Sequence, residues 1–185
     1  MARPTVLNLP NVLSLVRILL APFLIVLLIA RSGPYTLAAA ALFLAAAVTD
    51  WLDGRIARHT GQVSAVGQLL DPVADKLLVT AALFALVQVD RVPAWMAVLI
   101  VGREIAVTGL RTVAATQGLI IPASDFGKAK MVAEVVAITL LILATSPAVW
   151  IAGMVALSVA LALALGSGVD YFWRFLVRVV HGPGG

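Results

Sequence analysis

From Val135 to Val169 the chain reads VVAITLLILATSPAVWIAGMVALSVALALALGSGV, 35 residues without a charged side chain. As a single helix this run would be about 52 Å long at ~1.5 Å per residue, too long for the ~30 Å hydrocarbon core of a bilayer. Thr145-Ser146-Pro147 supplies the break, so two helices are expected, over about 128–145 and 148–172. The rest of the chain is of the same kind. Of its 185 residues, 62% are apolar and 12% charged, whereas soluble domains run at ~45–50% and ~25%. A globule of this length cannot hide so much apolar surface from water. A soluble enzyme, a disordered tail and a nucleic-acid module are thereby excluded, and nucleic acid is not an expected partner. There is no cysteine, which excludes disulfides and thiolate-bound metal. His59 and His181 are far apart in the chain, so a histidine-built metal site is not expected either.

Four further apolar segments precede this run, over about 11–30, 35–57, 67–89 and 94–115. The expected fold is therefore all-α, a polytopic membrane protein with six transmembrane helices. Residues 1–10 form a short amphipathic interfacial lead-in that ends in the cap-like Asn8-Leu9-Pro10-Asn11. Arg17 lies inside the first apolar segment and five spans follow it, so that segment reads as an uncleaved span, not a signal peptide. No linker, repeat or low-complexity tract divides residues 1–185, which read as one integral-membrane catalytic domain. Six spans put both termini on one side. Arg3, Arg17, Arg55, Arg58, Lys76, Arg103, Arg111, Lys128, Lys130, Arg174 and Arg178 fall on that side, against Arg31 and Arg91 on the other. That bias makes it the cytoplasmic side of a cell membrane, facing anionic lipid headgroups. Trp95, Trp150 and Trp173, near span ends, read as interface anchors.

Several of these charges sit inside apolar segments, where an ionisable group at the bilayer centre costs at least ~2.5–3.5 kcal/mol and usually lines a cavity. Of nine acids in the chain, Asp50, Asp53, Asp71 and Asp75 fall within 26 residues. Asp50 and Asp53 are three apart near the end of span two; Asp71 and Asp75 are four apart near the start of span three. Each pair shares a helix face. A short connection makes the two spans neighbours, so the pairs are expected to converge. Four adjacent carboxylates repel, and a bound divalent cation relieves that repulsion. Their oxygens suit Mg2+ or Mn2+. Asp71 before Pro72 has two readings: an N-cap followed by proline at the first helical position, or an interior residue of a helix beginning near Gly67. Between the pairs, Gly54, Ala57 and Gly67 leave room for a ligand, and Arg58 offers a forked donor set to a phosphate. The plainer readings are helix packing for the glycines and snorkelling for Arg55.

Asp50-x-x-Asp53-Gly54-x-x-Ala57-Arg58, eight residues, then Gly67-x-x-x-Asp71-x-x-x-Asp75 resembles the whole signature of the CDP-alcohol phosphotransferase family, in every residue and every gap. Asn8 to Asn11, Leu69 to Lys76, Val101 to Arg111 and the Gly127-Lys128-Ala129-Lys130-Met131 segment are similar to the family's bacterial phosphatidylglycerophosphate synthases. The likeness runs from about residue 8 to Lys130. It implies transfer of a phosphatidyl group from CDP-diacylglycerol to glycerol-3-phosphate with release of CMP. It also implies a homodimer of six-span subunits with a pair of divalent metal ions at the cytoplasmic membrane surface. Carried over, Asp50, Asp53, Asp71 and Asp75 bind metal, and Asp75 is also the general base. Asp53, Gly54, Ala57, Arg58 and Gly67 form the CDP pocket.

An acceptor that carries a phosphate needs cations, and Arg103, Arg111, Lys128 and Lys130 on spans four and five are the candidates. A second reading pairs Arg111 with Glu104, about 20° away around the same helix, and Lys130 with Glu134 as an i,i+4 pair. Two other functions compete. A same-family transferase would use another acceptor, such as an inositol phosphate or serine. A divalent-cation or proton transporter would use the acids as its pathway.

Overall fold

The break at 145–147 forms as its chemistry dictates. Pro147 opens a helix, where its missing N–H is one the helix end cannot use. Ser146 caps that helix, its Oγ accepting from the Val149 N–H at 3.4 Å. The computed structural model describes residues 9–30, 33–60, 65–116 and 125–181; for 9–11, 50–60, 65–72, 75, 125, 126, 128 and 179–181 it describes the helix but not the side chain. Among these residues the chain is all-α. The order is α1 (Leu9–Ile29), α2 (Gly33–Thr60), α3 (Ala65–Gln88), α4 (Ala94–Thr116), α5 (Asp125–Ile142) and α6 (Pro147–His181).

The six expected segments are the six helices, with shifted ends. α1 begins at Leu9, so Pro10 and Asn11 stand in its first turn and not in a preceding cap; residues 1–8 of the expected lead-in lie outside the described residues. α6 runs nine residues past the expected end at 172. Its 35 residues span about 52 Å, more than a bilayer core requires. The apolar run stops there, but nothing in Tyr171 to His181 breaks a helix, and Arg174 pairs with Asp170 one turn earlier at 3.0 Å.

Buried side chains follow helical periods. On α1 they are Ser14, Arg17, Ala21, Leu24 and Leu28, spaced alternately three and four apart. α1 packs against both α2 and α3. α3 also meets α4 and α5, α2 meets α5, and α6 packs along α5 and α4. Alanine lines many contacts, including Ala39, Ala82, Ala97, Ala137 and Ala164, which lets the helix backbones approach closely. The outer surface is apolar as well. Phe23, Val26, Trp95, Val169 and Trp173 are each more than half exposed. Over the described residues two helical stretches, Val12–Ile29 and Pro147–Arg178, are long and apolar enough to cross a membrane; Gly33–Thr49 and Lys76–Gln88 are shorter apolar stretches.

The turn between α3 and α4 is tied closely. Asp90 takes a positive φ of 59°, a conformation aspartate tolerates better than most residues. The Arg91 N–H donates to Leu86 O at 2.9 Å and the Asp90 N–H to Val87 O at 3.1 Å, closing α3 in a Schellman motif. The Arg91 guanidinium then caps α5, donating to Leu141 O at 2.9 Å and Ile142 O at 2.6 Å. Trp150 Nε1 returns a hydrogen bond to Arg91 O at 3.1 Å. Trp150 thus has a structural partner at a span end.

Gly153 sets the α5–α6 approach. A Cβ there would stand 2.8 Å from Leu141 Cγ and 3.2 Å from the Leu141 backbone nitrogen. Gly153→Val is therefore expected to destabilise the fold by about 1–3 kcal/mol, as overpacking does. Thermal unfolding of the purified protein in detergent measures this, and an unchanged midpoint would refute the close approach.

Candidate active site

The four aspartates of the signature lie on two unbroken helices: 50 and 53 on α2, 71 and 75 on α3. α3 begins at Ala65, six residues before Asp71, so Asp71 and Pro72 are interior and the N-cap reading is corrected. Gly54, Ala57 and Arg58 continue α2, and Gly67 lies in the first turn of α3. The side chains of the aspartates, of Arg58 and of Lys128 lie outside the described residues, and with them the expected convergence of the acidic pairs. Among the described residues no three metal-ligating side chains come together.

The described part of the site is a charge cluster centred on Glu104 of α4. Glu104 Oε2 accepts from Lys76 Nζ of α3 at 3.1 Å. Glu104 Oε1 accepts from Arg103 Nη1 at 2.5 Å and from Lys130 Nζ of α5 at 2.6 Å. Lys130 also reaches Glu134 at 2.8 Å. Arg103 crosses to α6, donating from Nε to Ala164 O at 2.8 Å and from Nη2 to Ser167 Oγ at 2.7 Å. Side chains of Lys130 and Glu134 are under 10% exposed, and those of Arg103 and Glu104 under 20%. A pair this sheltered attracts strongly, and removing either partner strands the other. Among the described residues three cations meet two carboxylates, one positive charge in excess.

Arg111 stands apart from this cluster. It is exposed on α4, with its guanidinium carbon 5.8 Å from the centroid of the Tyr171 ring of α6, a cation–π contact. The reading that paired Arg111 with Glu104 is thereby corrected: Glu104 is held by Lys76, Arg103 and Lys130. Seven residues along one helix separate 104 from 111 by about 10 Å, whereas neighbouring helices deliver a partner at the same level. The i,i+4 pair of Lys130 and Glu134 is present. Of the expected acceptor-side cations, the structure thus brings Arg103 and Lys130 together and leaves Arg111 about two turns away.

Sequence reasoning missed three participants: Lys76 as a partner of Glu104, and Ser167 and Tyr171 on α6. The Tyr171 hydroxyl is buried and has no hydrogen-bond partner among the described residues. A signal for α6 was present in Gly166-Ser167-Gly168, which interrupts a run of alanine and leucine. A Cβ at Gly168 would meet Arg103 Cγ at 3.2 Å, so the glycine leaves the lane along which Arg103 crosses.

The sequence profile of CDP-alcohol phosphatidyltransferases matches residues 7–165. The chain belongs to that family. It is 42% identical to a CDP-diacylglycerol–glycerol-3-phosphate 3-phosphatidyltransferase of Bacillus subtilis, over 89% of this chain and 93% of the relative. It is 38% identical to a probable phosphatidylglycerophosphate synthase of Mycobacterium tuberculosis, over 94% and 84%. A CMP-forming cardiolipin synthase of Oryza sativa is 36% identical over 95% of this chain and 60% of its own length. Within this phosphatidyltransferase, then, the Glu104 cluster lies within the stretch that the family profile covers, except for Ser167 on α6.

Arg103 uses three separate nitrogens for three partners, a geometry that an ammonium cannot reproduce. Arg103→Lys is expected to lower stability by about 1.5–3 kcal/mol, the range for hydrogen bonds to charged groups. A shift in unfolding midpoint in detergent checks this, and a wild-type midpoint would show that the α4–α6 tie is unimportant.

Proposed function

We propose that the chain is a membrane phosphatidyltransferase that joins CDP-diacylglycerol and glycerol-3-phosphate into phosphatidylglycerol phosphate and CMP. The observation that carries this reading is the complete eight-residue signature on α2 and α3 in a chain 42% identical to a relative of that name. The cardiolipin-synthase relative shows that family membership leaves the acceptor open. The end-to-end likeness to the glycerol-3-phosphate enzymes favours that acceptor over an inositol phosphate or serine.

The chemistry follows from the donor set. Asp50, Asp53, Asp71 and Asp75 are hard oxygen ligands that suit two Mg2+ or Mn2+ ions, which when bound supply charge neutralisation to the diphosphate and to the departing CMP. Asp75 takes the proton of the acceptor hydroxyl as its oxygen attacks the lipid-side phosphorus. The bond from that phosphorus to the CMP oxygen breaks, and CMP leaves with the electron pair. Asp53, Gly54, Ala57, Arg58 and Gly67 form the CDP pocket, where small residues admit the nucleotide close to the backbone. Arg103, Arg111, Lys128 and Lys130 receive the acceptor's phosphate. The excess positive charge around Glu104 and the exposed guanidinium of Arg111 support that assignment.

The apolar exterior supports insertion of all six helices, and the distribution of arginine and lysine favours both termini and the acids on the cytoplasmic side. The acyl tails then stay in lipid while the soluble acceptor enters from the cytoplasm. The chain acts as a homodimer in this reading, surrounded by the lipids it makes.

Two experiments test the proposal. Purified enzyme is expected to release CMP only with glycerol-3-phosphate and Mg2+ or Mn2+, and Asp75→Asn to lose about 10²–10⁴-fold in rate while keeping its unfolding midpoint. Turnover in excess EDTA, or a fully active Asn variant, refutes the mechanism. Because the chain lacks cysteine, single cysteines report topology cleanly. Ser146→Cys should react with an impermeant maleimide in intact cells, and Thr116→Cys only after permeabilisation. The reverse pattern refutes the orientation.

A further inference from the structure

We propose that Glu104 is a positioning residue, which sets the acceptor-side cations at the spacing that receives the phosphate of the acceptor. The proposal rests on the reading of Arg103, Arg111, Lys128 and Lys130 given above. Both oxygens of Glu104 are engaged, and the three groups they hold come from three helices: Lys76 from α3, Arg103 from α4 and Lys130 from α5. Each partner is tied in sequence to the signature or to the acceptor side. Lys76 follows Asp75 directly, and Lys130 follows Lys128 by two. One carboxylate therefore links the helix that bears the general base to the helices that bear the acceptor-side cations.

A cluster built only to brace the bundle would balance its charges. Among the described residues this one holds three cations against two carboxylates. It also keeps donors in reserve. Arg103 spends three of its five N–H groups, Lys130 two of three and Lys76 one of three. The site is sheltered but not sealed, with Lys76 26% exposed. A donor-rich, net-positive cluster of this kind recognises a doubly charged phosphate monoester. Removing the Glu104 charge would leave Lys76 and Arg103 without their carboxylate and Lys130 with Glu134 alone, and the three cations would part. The positive charge would remain, but its arrangement would be lost.

The test is steady-state kinetics of CMP release in lipid–detergent micelles, varying each substrate while the other is saturating. Glu104→Gln is expected to raise KM for glycerol-3-phosphate about tenfold while KM for CDP-diacylglycerol stays within twofold. Glu104→Asp, which keeps the charge, should rise only about threefold. Unchanged KM values in the Gln variant, or a parallel rise for both substrates, would overturn the proposal. Should the Gln variant not fold, the Asp variant decides: a selective threefold rise supports it and a wild-type value overturns it. Arg111→Ala, which does not touch Glu104, tests the acceptor-site reading separately. A wild-type KM for glycerol-3-phosphate in that variant refutes the role of Arg111, whatever the Glu104 variants show.

Discussion

A charge among hydrocarbon must meet an opposite charge, a polar backbone or a ligand, and this constraint organises the molecule more than any apolar contact does. Apolar burial distinguishes one helix face from another only weakly here, because the outside is as apolar as the inside. Charged groups discriminate. Arg91 reaches the carbonyls at the end of α5. Arg103 is drawn across to Ala164 and Ser167 on α6. Glu104 gathers cations from α3 and α5. Each tie fixes the rotation and depth of a helix that alanine and leucine alone would leave free to slide.

The helices themselves were legible because length and hydropathy decide them locally. Pro147 and Ser146 ended the long apolar run by a rule that needs no tertiary information. The end of α6 was not legible by the same route. Hydropathy reports where apolar residues stop, whereas a helix stops where its backbone finds a cap, and residues 172–181 offer none. Asp71 shows the same distinction from the other side. An acid before a proline carries the signature of an N-cap, yet six helical residues precede it.

At the site, residue types were readable and partners were not. The spacing of the aspartates and the surplus of basic residues both stood in the linear sequence. Which cation meets Glu104 depends on how three helices turn toward one another, and no pattern within α4 contains that information. An estimate along a single helix pointed to Arg111, at nearly the same angle, but angle without axial level does not make a contact. Tyr171 was hidden for the same reason: its ring becomes a platform for Arg111 only once α4 and α6 run side by side.

The two ends of the bundle divide the work. At the Arg91 end the ties include a Schellman turn, two backbone carbonyls that accept from the Arg91 guanidinium and an indole N–H that donates to Arg91 O. Bonds of that kind hold geometry. At the other end the ties are ionic and cations are in excess, so a phosphate that arrives there has unspent donors to meet. α4 and α6 run in the same direction through this region, since Arg103 meets 164 and 167 while Arg111 meets 171. Their basic residues thus form a line from the sheltered cluster toward the exposed guanidinium of Arg111. In the proposed function, a doubly charged acceptor drawn along that line would be led inward to the level of Lys76, the residue next to the proposed general base.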